Sequence, residues 1–91
     1  MPDLLHEYWE TADGGEFGAV GERSDQLRRT LAPDARLVFR LRASSWDEAM
    51  RHHHERLGYG EYSPVDEGAD HFYTDEEAAA QEAYLQVRRV R

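Results

Sequence analysis

The feature that most constrains the fold is a single stretch in which apolar residues recur at every second position. It spans residues 36–42, where large apolar side chains alternate with neighbours that include two arginines (Leu37, Phe39 and Leu41; Arg40 and Arg42). A period of two over six residues predicts a β-strand with one face in the core and an arginine-rich face opposite. A lone strand leaves its backbone groups unpaired, so the fold must supply a partner.

The sequence offers only weak partners for this strand. They lie near residues 17–20, near residues 71–73, or in the same strand of a second copy of the chain. Because the core of a 91-residue chain is also small, we expect a homodimer. Antiparallel pairing of residues 36–42 with themselves would bring arginines together, so we expect a helical interface before a strand interface.

Two further segments carry the signature of a capped helix. Ser45 and Glu48 form a capping box before residues 46–57, where apolar positions recur three and four apart. Thr74 and Glu77 form a second box before the last helix. We expect the packed side of that helix to consist of small and apolar residues: Ala79, Ala80, Ala83, Tyr84, Val87 and Val90.

Two shorter helices are predicted nearer the start of the chain. Residues 3–12 place large apolar side chains on one helical stripe, and residues 16–22 then favour a loop. A second short helix, capped by Ser24 or Asp25, carries Leu27 and Leu31 and is ended by Pro33. The sequence thus predicts one α+β domain over residues 1–91, mostly helical, with about four helices and a short sheet built around strand 36–42.

Composition excludes several classes of function. The chain has no cysteine, which rules out a disulfide scaffold, a thiolate zinc site and a cysteine nucleophile. Its net charge of −8 repels phosphate, so we expect no binding to nucleic acid. No apolar stretch approaches the roughly 18 residues of a membrane span, so we expect no membrane association and a cytoplasmic location.

All eleven basic residues are arginine, and lysine, asparagine and isoleucine are absent. The codons of the three missing residues are rich in A and T, which favours a GC-rich bacterial genome. The alternative is a salt-adapted acidic proteome, in which lysine is also scarce. Eight of the arginines lie in residues 23–56, between two acidic blocks. They either pair with those acids within the fold or across a dimer, or form a local patch that faces an anion.

The run His52, His53 and His54 is the most conspicuous chemical motif. Consecutive side chains on a helix point about 100° apart, so three adjacent histidines cannot converge on one metal ion, and we expect neither metal nor cofactor. His53 falls on the apolar stripe of its helix, which predicts a buried, structural histidine. His53 and His54, with Tyr59, are also the candidates for catalysis, because burial can tune a histidine into a general base.

The candidate binding residues are two arginines of the predicted strand and three tyrosines of the region that follows helix 46–57: Arg40, Arg42, Tyr59, Tyr62 and Tyr73. Tyrosine offers a large contact area with a polar tip. No paired catalytic residues accompany them. We therefore expect a non-catalytic interaction or regulatory protein with a protein partner. The alternative is a small dimeric enzyme or ligand-binding domain that uses a histidine of the 52–54 run with a nearby tyrosine and arginine.

Overall fold

The computed structural model describes residues 2–60 and 72–88. Within these ranges the chain forms three strands and three helices in the following order: β1 (Leu4–Thr11), β2 (Gly14–Ala19), α1 (Glu22–Leu31), β3 (Arg36–Ala43), α2 (Trp46–Leu57) and α3 (Asp75–Arg88). The strands make one antiparallel sheet in the order β2-β1-β3. The α+β class is confirmed, but the expectation of a mostly helical domain with about four helices is wrong.

The predicted helix over residues 3–12 is the central strand β1. Leu4, His6 and Tyr8 face one side of the sheet, whereas Leu5 and Glu7 face the other. Because helices cover both faces, β1 is buried on both sides and lacks the alternation of apolar and polar residues that marks a half-exposed strand. Its apolar residues therefore fell on helical spacing by coincidence.

The predicted loop over residues 16–22 is mostly the edge strand β2, which pairs with β1 through a tight hairpin. Tyr8 lies opposite Phe17, and Thr11 lies opposite Gly14 across a two-residue turn. Gly14 has a φ of 131°, which favours glycine. Gly15 is required for a different reason, because a Cβ there would collide with the ring of Tyr8. These two glycines thus permit a tight hairpin and close ring packing.

The predicted strand over residues 36–42 is confirmed as β3, and its partner is β1 rather than any of the three expected segments. Tyr8 pairs with Phe39 and Trp9 pairs with Leu37, so Val38 is an extra residue in the ladder. This bulge twists the outer strand of the sheet. Such a bulge, together with arginines, is a common way to discourage edge-to-edge pairing.

Helix α2 confirms the prediction for residues 46–57 and covers the sheet face that carries Tyr8. Ser45 Oγ accepts a hydrogen bond from Glu48 N at 3.2 Å, and the Glu48 carboxylate accepts from Ser44 N at 3.0 Å. Gly58 ends the helix in the left-handed conformation. Local capping chemistry therefore sets both ends of α2.

Helices α1 and α3 contact the opposite face. In α1 the buried residue is Asp25, whereas Leu27 and Leu31 are 52% and 77% exposed. The helix begins at Glu22, earlier than the expected cap at Ser24 or Asp25.

The capping box before α3 is confirmed, since Glu77 N donates to Thr74 Oγ1 at 3.1 Å and Thr74 N donates to Glu77 Oε1 at 2.9 Å. The predicted packing side of α3 is wrong except at Tyr84. The buried or half-buried residues of α3 are Ala78, Gln81, Tyr84, Leu85 and Arg88. The residues Ala79, Ala80, Ala83 and Val87 are exposed. Val90 lies outside the described residues.

The side-chain amide of Gln81 anchors α3 to β1, because it hydrogen-bonds to the backbone of Leu5 as a neighbouring strand would. Its oxygen accepts from Leu5 N at 2.7 Å, and its nitrogen donates to Leu5 O at 2.9 Å and to Val20 O at 3.0 Å. Near residues 71–73, Phe72 forms a β-bridge with Ser45, and Tyr73 N donates to Ser44 O at 2.9 Å; His71 lies outside the described part. None of the helices described has the length and apolar character needed to span a lipid bilayer.

Candidate functional site

The residues that the sequence singled out are divided between the two faces of the sheet. His53, His54 and Tyr59 lie together on the α2 side, where His54 and Tyr59 meet edge to face at 5.6 Å. Arg40 and Arg42 lie on the opposite side, where they pair with Glu7 and Asp3. Tyr73 is on the α2 side, and Tyr62 lies outside the described residues. The histidines and these arginines are therefore separated by the sheet itself.

His53 is part of an aromatic core, and its predicted burial is confirmed. The residue is 8% exposed and stacks on Phe17 with ring centroids 4.3 Å apart. Within the described ranges, no residue forms a hydrogen bond with its Nδ1. Burial, with a smaller effect from His54, lowers the pKa of His53 below its ordinary value.

His6 is a second core histidine, and it lies in the segment for which the sequence predicted a helix. Its Nδ1 lies 2.9 Å from Leu4 O, and its Nε2 lies 2.8 Å from the Tyr73 hydroxyl. Because a carbonyl only accepts, Nδ1 carries the proton and Nε2 accepts from Tyr73. Burial lowers the pKa of His6, against the opposing effects of Leu4 O and Glu48. The ring is thus held neutral.

The His53→Leu variant should fold and be at least as stable as the wild type near neutral pH, because leucine avoids the burial of a polar ring. Because the pKa of His53 is lower in the folded protein than in the unfolded chain, the unfolded chain is protonated first as the pH falls. The free energy of unfolding of the wild type therefore decreases with acidification. The variant should lose less stability between about pH 7.5 and about pH 5.5. Urea denaturation at several pH values measures this. His52→Leu, at an exposed position of the same run, is the control; failure of His53→Leu to fold would contradict the assignment.

The most elaborate polar arrangement lies on the other face, where two carboxylates are buried among arginines. We call Glu7, Asp25, Arg28, Arg40 and Arg88 the ion-pair cluster. Glu7 and Asp25 are only 3% and 1% exposed. Arg88 bridges them: its Nη2 donates to Glu7 at 2.6 Å and its Nε lies 2.8 Å from Asp25. One guanidinium therefore joins β1, α1 and α3.

Each of the two carboxylates also accepts hydrogen bonds from further side chains. Arg40 Nε donates to Glu7 at 2.8 Å, and Arg28 donates to Asp25 at 2.7 Å. Trp9 Nε1 also donates to Glu7, and the Tyr84 hydroxyl donates to Asp25. Burial alone would raise the pKa of both carboxyls, but the hydrogen bonds outweigh it and lower both pKa values. Both groups are thus anionic at neutral pH.

Four members of the ion-pair cluster, all but Glu7, line one side of a cavity of about 460 Å³, which we call the arginine cleft. In the described part of the chain, three apolar and five charged side chains form its walls: Leu5, Trp9, Leu85, Asp25, Arg28, Arg29, Arg40 and Arg88. The Arg28 guanidinium lies over the Trp9 ring, 3.7 Å from its centroid. Four of the eleven arginines thus meet at one cavity of an acidic protein.

Two of these arginines retain hydrogen-bonding capacity. Within residues 2–60 and 72–88, Arg40 is bonded only through Nε, and Arg29 approaches only Asp25, at 3.9 Å. Arg88 and Arg28 are committed to the buried carboxylates. The guanidinium fork matches a carboxylate or phosphate, so the chemistry available here is recognition of an oxyanion.

Sequence reasoning identified Arg40 but missed the rest of the cleft. Glu7 and Trp9 were assigned to a helix, and Arg88 was not among the candidate binding residues. Recognising β1 as a strand would have placed Glu7 and Trp9 on the face that carries Arg40. The excess of bases in residues 23–56 was the other available signal.

Replacing Arg88 with methionine should cost about 3–5 kcal/mol of unfolding free energy, because it leaves buried carboxylate charge undercompensated. Arg42→Met is the matched control. Arg42 pairs with Asp3 on the surface, where the loss should stay below about 1 kcal/mol. Urea denaturation of both variants at neutral pH measures the difference; equal losses would contradict the role given to Arg88.

In the described ranges, no three histidine, aspartate or glutamate side chains are grouped so that they could hold a metal ion. Comparison of the chain with protein-family models, curated proteins and solved structures finds no match. The candidate site is therefore defined by its geometry.

Proposed function

We propose that this protein is a small non-catalytic binding or regulatory protein whose arginine cleft receives an anionic group. The observation that carries the proposal is that four guanidiniums converge on one cavity. Two of them, those of Arg29 and Arg40, have N–H donors that no described residue occupies. A cytoplasmic location and bacterial origin stay predictions from the sequence.

The separation of the candidate residues supports binding over catalysis. The enzyme hypothesis requires a histidine, a tyrosine and an arginine around one reacting group. His53 and Tyr59 lie on the α2 side of the sheet, whereas Arg40 lies on the α3 side. The cleft offers donors for recognition, whereas His53, the candidate general base, lies on the opposite face in the aromatic core.

The overall charge supports a compact anion rather than nucleic acid. Positive charge is concentrated at the cleft, while the chain as a whole carries −8. Binding of a polyanion that extended beyond the cleft would be opposed by the net negative charge of the rest of the chain. Absence of nucleic-acid binding therefore remains part of the proposal.

Anion binding is tested by thermal denaturation in the presence of phosphate, sulfate and carboxylate salts at constant ionic strength. A ligand at ten times its Kd should stabilise the fold by about 1.4 kcal/mol. The double variant Arg29→Met/Arg40→Met should lose this stabilisation. Arg36→Met/Arg42→Met, which removes two exposed arginines paired with Glu10 and Asp3, is the control. No stabilisation by any anion, or equal loss in both double variants, would refute the proposal.

We also propose that the chain forms a homodimer through a helical interface. Leu27 and Leu31 lie four residues apart on α1 and are largely exposed, which supports an apolar contact there. The bulge at Val38 supports a helical over a strand interface.

Sedimentation velocity at tens of micromolar protein should give twice the chain mass of 10.6 kDa. Leu27→Glu/Leu31→Glu should give the monomer mass, because charge at an apolar interface opposes association. A wild-type protein that sediments at 10.6 kDa would contradict the dimer.

A further inference from the structure

We propose that the ligand of the arginine cleft is a small organic acid, in which one carboxylate or phosphate group is attached to an apolar body. This inference rests on the proposed function and specifies its ligand. Three properties of the cleft support it: its size, its charge and the apolar side chains in its wall.

The size of the cleft fits a small molecule. Its volume of about 460 Å³ lies within the ~300–1,000 Å³ typical of ligand sites. An inorganic phosphate or sulfate ion would fill only a small part of this space. A ligand with several carbon atoms would occupy the remainder and displace water from its walls.

The charge balance leaves room for one small anion. Four arginines meet two carboxylates, Glu7 and Asp25, so the group carries an excess of two positive charges. Both carboxylates are anionic because their pKa values are lowered. A monoanionic carboxylate or a phosphate monoester can therefore enter without an excess of negative charge.

The apolar wall gives the carbon part of the ligand a place to bind. Leu5, Trp9 and Leu85 line the cleft beside the arginines, and each is partly accessible. Arg40 and Arg29 hold unused donors at the same cavity. Polar donors next to apolar surface are the combination that recognises an acid with an apolar body and disfavours a bare ion.

Trp9 makes the proposal directly measurable. The chain has two tryptophans, and Trp46 lies on the opposite face of the sheet, near Phe17. In the Trp46→Phe variant, Trp9 is the sole tryptophan, so a change in its fluorescence reports on the arginine cleft. The variant keeps an aromatic ring in α2, and circular dichroism checks that it folds.

The test titrates Trp46→Phe protein with acetate, 3-phenylpropanoate, phenyl phosphate and inorganic phosphate at constant ionic strength. Affinity should rise at least about ten-fold from acetate to 3-phenylpropanoate, and from inorganic phosphate to phenyl phosphate. Comparison of the two organic acids shows which headgroup the cleft prefers. Adding Leu85→Ala should reduce the gain from the phenyl group, whereas Val87→Ala, at an exposed position of the same helix outside the described lining of the cleft, should leave it unchanged.

The outcomes separate this inference from the proposed function. Equal affinity for the inorganic and organic anions would overturn the organic ligand while leaving anion binding intact. No response to any anion in fluorescence or thermal denaturation would overturn both. Tighter binding of a short glutamate-rich peptide than of either phenyl acid would overturn the small ligand in favour of an acidic protein partner.

Discussion

The fold depends on one guanidinium. Arg88, near the end of α3, bridges Glu7 of the central strand and Asp25 of α1, so three elements meet at a single cation. Burying two carboxylates without compensation would destabilise the structure by several kcal/mol. Helix α3 is otherwise anchored by the amide of Gln81 and the hydroxyl of Tyr84, and most of its alanines are exposed. Its position is therefore set by polar contacts of fixed geometry more than by apolar burial.

The same charges connect stability with recognition. The lowered pKa values of Glu7 and Asp25 mean that their stabilising contribution is present above the ordinary carboxyl range and is lost as the pH falls through the lowered values. Arg88 and Arg28 balance these carboxylates, which leaves Arg29 and Arg40 as donors at the arginine cleft. The ion pairs of Arg28 and Arg88 thus fix the shape of the cleft, and the unused N–H donors of Arg29 and Arg40 face the same cavity.

Alternation along β1 gives the two faces of the sheet different chemistry. Leu4, His6 and Tyr8 enter the aromatic core beneath α2, while Leu5 and Glu7 enter the polar side beneath α1 and α3. A sequence pattern with histidine and glutamate in the middle suggested a surface helix, because such residues are usually exposed. Here each is buried with hydrogen-bonded partners supplied by distant parts of the chain.

The sequence by itself determined the elements whose signals are local. Strand β3 follows from alternation, and both ends of α2 follow from the Ser45 and Gly58 caps, because the hydrogen bonds involved span only a few residues. Only the tertiary structure decided that residues 4–11 are a strand and that α3 packs through Gln81 and Arg88. Those outcomes depend on which helices cover the two faces of β1. A strand that is buried on both faces lacks the alternation of apolar and polar residues, so its sequence carries no local signal for a strand.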